Sequence, residues 1–350
     1  VAENTPPAVD IVDLSLEEVR ALALSVLRKA GLTETQAAPV AETITLCERD
    51  GRASHGLLRL PGCVMTIESA NFNLQAEPEV SEPSAAVVRV DAGFGYSLPA
   101  FERGLPLLEE KAKALGVAVL AINNCFHFSA LWPEVETLAR RGLAALAMTP
   151  SHAWVAPFGG IKPVLGTNPL AFGWPRADKN PYVFDFATSA MARSDIAMAG
   201  TKGETLPEGC GLNEQGNPST VPAEVLAGAM TTFGGHKGTA LSTMIELLAG
   251  PLIGDMTSRD SMEFDAGEKA APCHGELIVA FDPALLGGDD PALNEARAEA
   301  LFAAFTDQGA RLPSQQRYGT RARTQNTGVS IPRALYDRIT ELGGERATQA

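Results

Sequence analysis

The first apolar pattern in the chain is helical. Val19, Leu22, Val26 and Leu27 form a stripe at helical spacing. Ser15 with Glu18 makes a capping-box pair ahead of it, and Gly31 stops it. Thr33 with Gln36 repeats the cap and predicts a second helix running toward Cys47. Residues 1–12 are Pro-rich and read as an arm.

Past residue 84 the pattern becomes mixed. Residues 86–90 are a strand candidate, Gly93 and Gly95 a turn, 99–115 a helix, and 117–122 an apolar run. This strand–helix–strand passage predicts an α/β layer. A helix ending near Gly142 and a strand at 143–148 follow. Residues 151–169 read as loop, 170–174 and 182–185 as strands, and a helix from about Ser189 carries Asp195. The stretch 201–222 reads as an exposed excursion and 239–249 as a strongly apolar helix. Residues 250–274 read as a mobile surface insert, 276–281 as a final strand, and 291–308 as an amphipathic helix.

Composition narrows the class. Hydrophobic residues are 45% of the 350 and charged ones 20%, so a globular core is expected rather than disorder. The net charge of −14 argues against nucleic acid and against an acidic membrane surface as partners. The five cysteines are odd in number and have no CxxC spacing, which predicts reduced thiols in the cytoplasm. No apolar run approaches the ~20 residues of a bilayer span, and no signal peptide is visible.

The chemistry centres on residues 50–62. Small residues there surround one imidazole and two guanidinium groups, those of His55, Arg52 and Arg59. Ser54 puts a hydroxyl beside the imidazole. An imidazole can give a proton near neutral pH, and a guanidinium can grip a carboxylate with two hydrogen bonds. The pattern suggests a site that protonates a substrate held by its carboxylate, or a plain surface loop. The phosphate signatures G-x-G-x-x-G and the P-loop are missing, so a Rossmann site is not expected. Residues 234–238, with His236 and Lys237 at a helix start, are either an anion cradle or a glycine-rich turn. His127 between aromatic neighbours reads as a packed core residue or as a channel lining. Thr167 reads as a turn cap, Asp195 as a helix-face carboxylate, and the arginines from residue 311 onward as a solvated face. His55, His127, His152, His236 and His274 lack ligand-like spacing, so no metal is expected.

Residues 50–62, with separated blocks from about Leu16 to Tyr318, resemble the type-2 malate/L-lactate dehydrogenase family of NAD(P)H-dependent oxidoreductases. The resemblance implies a mixed α/β fold with a largely antiparallel sheet and flanking helices. That fold is the non-Rossmann, L-sulfolactate dehydrogenase-like NAD(P)-binding one, with a helical domain built from both chain ends. It divides the chain into residues 1–84 carrying the Ser-His-Gly signature, an NADPH-binding core at 85–285, and a C-terminal part at 286–350 packing back on the first. His55 becomes the proton donor, supported by Ser54 and Asp195. Arg59 and Thr167 bind substrate. His127, Phe128, Ser129, Ala130, Leu131, Asp185, Phe186, Ala187, His236 and Lys237 contact the cofactor. So does the tail block of Leu312, Pro313, Ser314, Gln315, Gln316 and Arg317.

Within that family, residues 125–132 resemble the branch that reduces cyclic ketimines, Δ1-piperideine-2-carboxylate and Δ1-pyrroline-2-carboxylate, to L-pipecolate and L-proline. Many 2-oxoacid-reducing members carry a Ser-Asn-His-Phe-Gly-Ala-Ala-Gly-like stretch. This chain departs from it at Cys125, Phe126 and from Ser129 onward. The implied cofactor is NADPH, with NADH possible, and the implied assembly a homodimer with its active site near the interface. The alternatives are a 2-oxoacid or 2-hydroxyacid dehydrogenase of malate, lactate or ureidoglycolate type, and an inactive NADPH-binding relative.

Overall fold

A computed structural model describes residues 10–344. The chain enters through strand β1 (Ile11–Leu14) and helices α1 (Leu16–Lys29) and α2 (Glu34–Arg49). Both helices begin at the expected caps. Ser15 accepts from the Glu18 N–H, and the Ser15 N–H donates back to the Glu18 carboxylate at 2.7 Å. Thr33 accepts from the Gln36 N–H. Val19 and Leu27 of α1 pack with Val40 and Ile44 of α2 in one wholly buried cluster. Two single turns, Ala53–His55 and Leu57–Arg59, then lead into α3 (Leu60–Ile67).

Strands β2 (Glu79–Ser84) and β3 (Val87–Asp91) form a hairpin, and α4 (Ser97–Leu115) crosses to β4 (Val117–Phe126), parallel to β3. Then come α5 (Trp132–Arg140), β5 (Ala144–Met148), the short β6 (Val155–Ala156), and the pair β7 (Pro169–Trp174) and β8 (Tyr182–Ala187). A small lobe follows, with α6 (Arg193–Lys202), β9 (Gly211–Leu212), α7 (Pro222–Ala227) and β10 (Ala229–Thr231). Helices α8 (His236–Ala249) and α9 (Ser258–Asp265) lead to β11 (Cys273–Phe281). The chain ends in α10 (Pro283–Leu286), α11 (Pro291–Thr306), α12 (Gln315–Thr327), β12 (Val329–Pro332) and α13 (Arg333–Gly343).

The main sheet has seven strands in the order β2-β3-β4-β11-β5-β7-β8, antiparallel except at β3–β4. Its central strands are apolar on both faces because both are covered. Leu120, Ile122 and Ile278 meet Leu105 and Leu108 of α4, while Ala121 and Leu277 meet Ile245 and Ala249 of α8. Each leucine and isoleucine among them contributes roughly 1.5–3 kcal/mol on burial. Gly173 lets α5 lie close on β7, since a Cβ there would stand 2.4 Å from the Val135 carbonyl oxygen.

The chain ends join. β1 pairs antiparallel with β12, and Ile339 of α13 is buried in the same cluster as α1 and α2. Part of the predicted arm, residues 1–9, lies outside the described residues; the rest of it enters β1. The strand at 276–281 begins earlier, at Cys273, and is not the last, because β12 follows. Residues 250–274 are not a loose insert. Ser258 and Ser261 are fully buried, and the Ser258 N–H donates to Glu246 at 2.8 Å. The excursion at 201–222 also packs: Leu206, Cys210 and Val225 share a core with Met230. Helix α6 starts at Arg193 rather than near Ser189. Helix α11 exists but is not amphipathic. Only Phe302 is buried, stacked on Tyr182, while Leu293, Leu301 and Phe305 are exposed.

Candidate active site

The turn bearing His55 is held from behind by Glu48 of α2. Its Oε1 accepts the Leu57 N–H at 2.7 Å, which ties the two single turns to a long helix. Burial pushes the Glu48 pKa up, and the Leu57 N–H opposes the rise. Only glycine fits at position 56, because a Cβ there would stand 2.2 Å from the Glu48 carboxylate. A Gly56→Ala substitution therefore expels that carboxylate and leaves a buried N–H unpaired, at about 1–3 kcal/mol. A lower melting temperature together with lower kcat/KM is the expected result, read by calorimetry and steady-state kinetics.

The turn opens on a cavity of about 670 Å³ between the main sheet and the α6 lobe. Its lining brings together Ser54, His55, Arg59, His127, Phe128, Ser129, Ala130, Thr167, Asp185, Phe186, Ala187, Asp195, Ser314 and Arg317. Sequence reasoning named all of these. The Ser54 hydroxyl lies 3.1 Å from His55 Nδ1. A hydroxyl donating there leaves the proton of a neutral ring on Nε2. Burial, then the charges of Arg59 and Arg52, lower the His55 pKa to about 4. The ring is therefore neutral near pH 7. Arg59 donates to the Phe128 carbonyl at 3.3 Å, and its buried Nε has no partner.

Other expected residues sit differently. Asp195, in the first turn of α6, lines the cavity but forms no ion pair with His55 within 4.0 Å among the described residues. The predicted relay is thus not closed here, because Asp195 stands on a separate exposed turn. Asp185 turns its Oδ2 to the N–H groups of Leu131 and Trp132, at 2.9 and 3.0 Å, and anchors the 127–131 loop at the start of α5. Burial raises its pKa to about 6. Leu131 itself is fully buried behind the lining. His236 and Lys237 are exposed at the start of α8, after Gly234 and Gly235 at φ of 57° and 61°. They stand outside the cavity, linked to its rim through Phe233 packed on Phe186. Leu312, Pro313, Gln315 and Gln316 flank Ser314 without lining the cavity. Arg317 reaches the wall, but its Nη1 is bound to Asp50 and Glu136, not free for an anion.

Thr149, Arg193 and His274 also line the cavity and were not assigned to it from sequence. His274 entered the sequence reading only as a histidine without ligand-like spacing. It stands beside the expected His127, ring centroids 6.1 Å apart, and its Nδ1 lies 3.0 Å from Thr149 Oγ1. Arg193 lies over the Trp154 ring at 4.5 Å.

Known proteins share this architecture. The sequence profile described as malate/L-lactate dehydrogenase matches residues 14–340. The Δ1-pyrroline-2-carboxylate reductase 1 of Burkholderia ambifaria is 54% identical over 95% of this chain and 97% of its own. The Δ1-pyrroline-2-carboxylate/Δ1-piperideine-2-carboxylate reductase of Pseudomonas aeruginosa is 51% identical over 95% and 99%. Among solved structures, the Δ1-piperideine-2-carboxylate reductase of Pseudomonas syringae pvar. tomato superposes with a TM-score of 0.90 at 39% identity, covering 95% of this chain and 99% of that one. The sulfolactate dehydrogenase of Methanocaldococcus jannaschii gives 0.84 at 27% identity, covering 95% and 97%. With an α/β architecture of this kind and a family match across nearly its whole length, the chain belongs to the malate/L-lactate dehydrogenase family.

Proposed function

We propose that this protein is a ketimine reductase, converting Δ1-pyrroline-2-carboxylate and Δ1-piperideine-2-carboxylate to L-proline and L-pipecolate with NADPH. The carrying observation is one cavity holding a Ser54–His55 pair beside the Arg59 guanidinium. The names of the most similar relatives favour cyclic imines over open-chain 2-oxoacids.

The site fits a nicotinamide. Ser129 Oγ is buried without a partner beside the cavity, as is Arg59 Nε. Such unsatisfied groups are costly unless a ligand or water meets them. Phe186, half-exposed at the rim, offers an apolar face. The glycines before α8 give backbone N–H groups room to approach an anion. His127–Ala130, Phe186, Ala187 and Ser314, which line the cavity, would hold the nucleotide, with His236 and Lys237 outside it at the glycine-led start of α8. When bound, it supplies a hydride to C2 of the imine. Arg59 fixes the substrate carboxylate and Thr167 its far side. His55 manages the proton that ends on nitrogen, oriented by Ser54, with Asp195 on the same cavity lining as the supporting carboxylate.

A homodimer is part of this reading, since it would cover the exposed Leu293, Leu301 and Phe305. A cytoplasmic setting fits five unpaired, buried thiols.

The test is a panel of both cyclic imines, pyruvate and 2-oxoglutarate, each with NADPH and NADH, followed by nicotinamide absorbance. Faster turnover of a 2-oxoacid rejects the imine assignment, and binding without turnover rejects catalysis. Arg59→Ala is expected to raise KM roughly 10- to 100-fold, the value of charged hydrogen bonds to a carboxylate. An unchanged KM removes Arg59 from substrate binding.

A further inference from the structure

Behind the cavity wall lie two buried acids with no role in the chemistry above. Glu276 stands on β11 and Glu134 in the first turn of α5. Their exposures are 0% and 1%, and all four carboxyl oxygens lack a hydrogen-bond partner among the described residues. His127 Nε2, also buried and unpartnered, points at Glu276 Oε2 across 3.8 Å. A small side-chain rotation or one bridging water closes that gap. His127 Nδ1 is not among the sealed, unsatisfied atoms, and the residue lines the cavity.

The neighbours supply no compensating cation. His274 comes from the same strand, Cys125 from β4, His127 from the loop after it, and Glu134 from α5. Asp185 adds negative charge near Glu134. Arg59 acts on His127, but among the described residues no arginine or lysine pairs with either acid. An isolated buried carboxylate is too costly to persist charged, so it takes up a proton. Burial raises the pKa of both acids.

We propose that Glu276, backed by Glu134, is a positioning residue that stays protonated and donates its O–H to His127 Nε2. The imidazole is then locked in the neutral tautomer that carries its proton on Nδ1 and offers that N–H to the cavity. His127 thereby becomes a fixed neutral donor for the carboxamide or carboxylate of whatever occupies the cavity. A charged Glu276 would reverse it, accepting a hydrogen bond from Nε2–H and turning Nδ1 into an acceptor. Burial, with the charges of His55 and Arg59, keeps the His127 ring itself uncharged. This deepens the proposed function, since it assigns a task at the same site.

The test has two arms. In the first, the infrared spectrum of the protein without nucleotide or imine is compared with that of Glu276→Gln and Glu134→Gln at pH 7. The expected difference is loss of a protonated carboxylic acid carbonyl band in each variant, with nitrogen-15 shifts placing the His127 proton on Nδ1. In the second arm, Glu276→Leu is expected to lower kcat roughly 10- to 100-fold, the usual cost of removing the partner that orients a working histidine. Glu276→Gln, whose amide can also donate to Nε2, is expected to restore most of it. An unchanged band in Glu276→Gln, or a His127 proton on Nε2, overturns the proposal. So does a glutamine variant as impaired as a folded leucine variant. Should the leucine variant fail to fold, the spectra alone decide. They are read without substrate, so rejection of the imine assignment leaves them standing.

Discussion

A His55→Ala enzyme is expected to turn over about 10²–10⁴-fold more slowly than its parent, the range for loss of a positioned acid–base group. Nucleotide binding should persist, because the ring contributes a proton and little contact area. Its electrostatics add a sharper expectation. Burial, Arg59 and Arg52 hold the ring's pKa at about 4, so near neutrality it is uncharged. A carboxylate seated on Arg59 cancels one of those two positive charges. The pKa of His55 should therefore be higher in the substrate complex. A proton donor is active only while protonated, so activity should fall on the alkaline side of its pKa. That limb should lie at higher pH in kcat, which reports the complex, than in kcat/KM, which reports the free enzyme. The measurement is a pair of pH profiles for the parent and His55→Ala. Full turnover in a folded alanine variant, or limbs that coincide, takes the proton away from His55. The low pKa also affects stability. A histidine depressed from its usual 6.5 destabilises the folded state as pH drops from about 6.5 toward about 4, because the unfolded chain binds the proton first.

What was readable in the sequence divides by the range of the interaction. Ser15, Glu18 and Thr33 act within one helical turn, and the caps form where they stand. Ser54 and His55 are adjacent, and their contact is local. The apolar runs of β4 and β11 show because both sheet faces are covered. Strand β12 was not readable, since its partner β1 lies at the opposite end of the chain. Ser258 and Ser261 look solvated by composition. They are buried because Glu246 and His152 meet their polar atoms, and both partners come from other elements. Cavity residues such as Thr149, Arg193 and His274 belong to separate segments, so no spacing links them. The family resemblance supplied Asp195, which the fold brings to the same cavity lining as His55 from a separate helix.

Arg317 and Arg321 show the same limit at higher stakes, and they carry the second large expectation. By charge they read as a solvated or phosphate-facing tail. In the fold they are buried, 3% and 8% exposed, and pinned between Asp50 and Glu136. Arg321 Nε donates to Asp50 at 2.8 Å, Arg317 Nη1 to Glu136 at 2.7 Å, and Arg49 Nε to Asp50 at 2.7 Å. Arg317 also lies 4.0 Å over the Trp132 ring. The network ties α12, from the far end of the chain, to α2 and α5. Asp50 immediately precedes the turn that presents Arg52, Ser54 and His55. Asp50→Ala leaves two buried guanidinium groups short of their counter-charge. It is expected to destabilise the fold by about 3–5 kcal/mol, the value for breaking a buried ion pair from one side. Burial alone would raise both acids, but Arg321 and its neighbours reverse this. Asp50 ends below its usual range and Glu136 at about 2. For such depressed carboxylates the stabilisation is complete above the unfolded pKa near 4 and is lost as pH falls toward 2. Chemical denaturation of the parent and Asp50→Ala should differ most at neutral pH, and the two curves should converge on acidification. A gap that stays constant from pH 7 to the acid limit would assign the loss to packing rather than to charge.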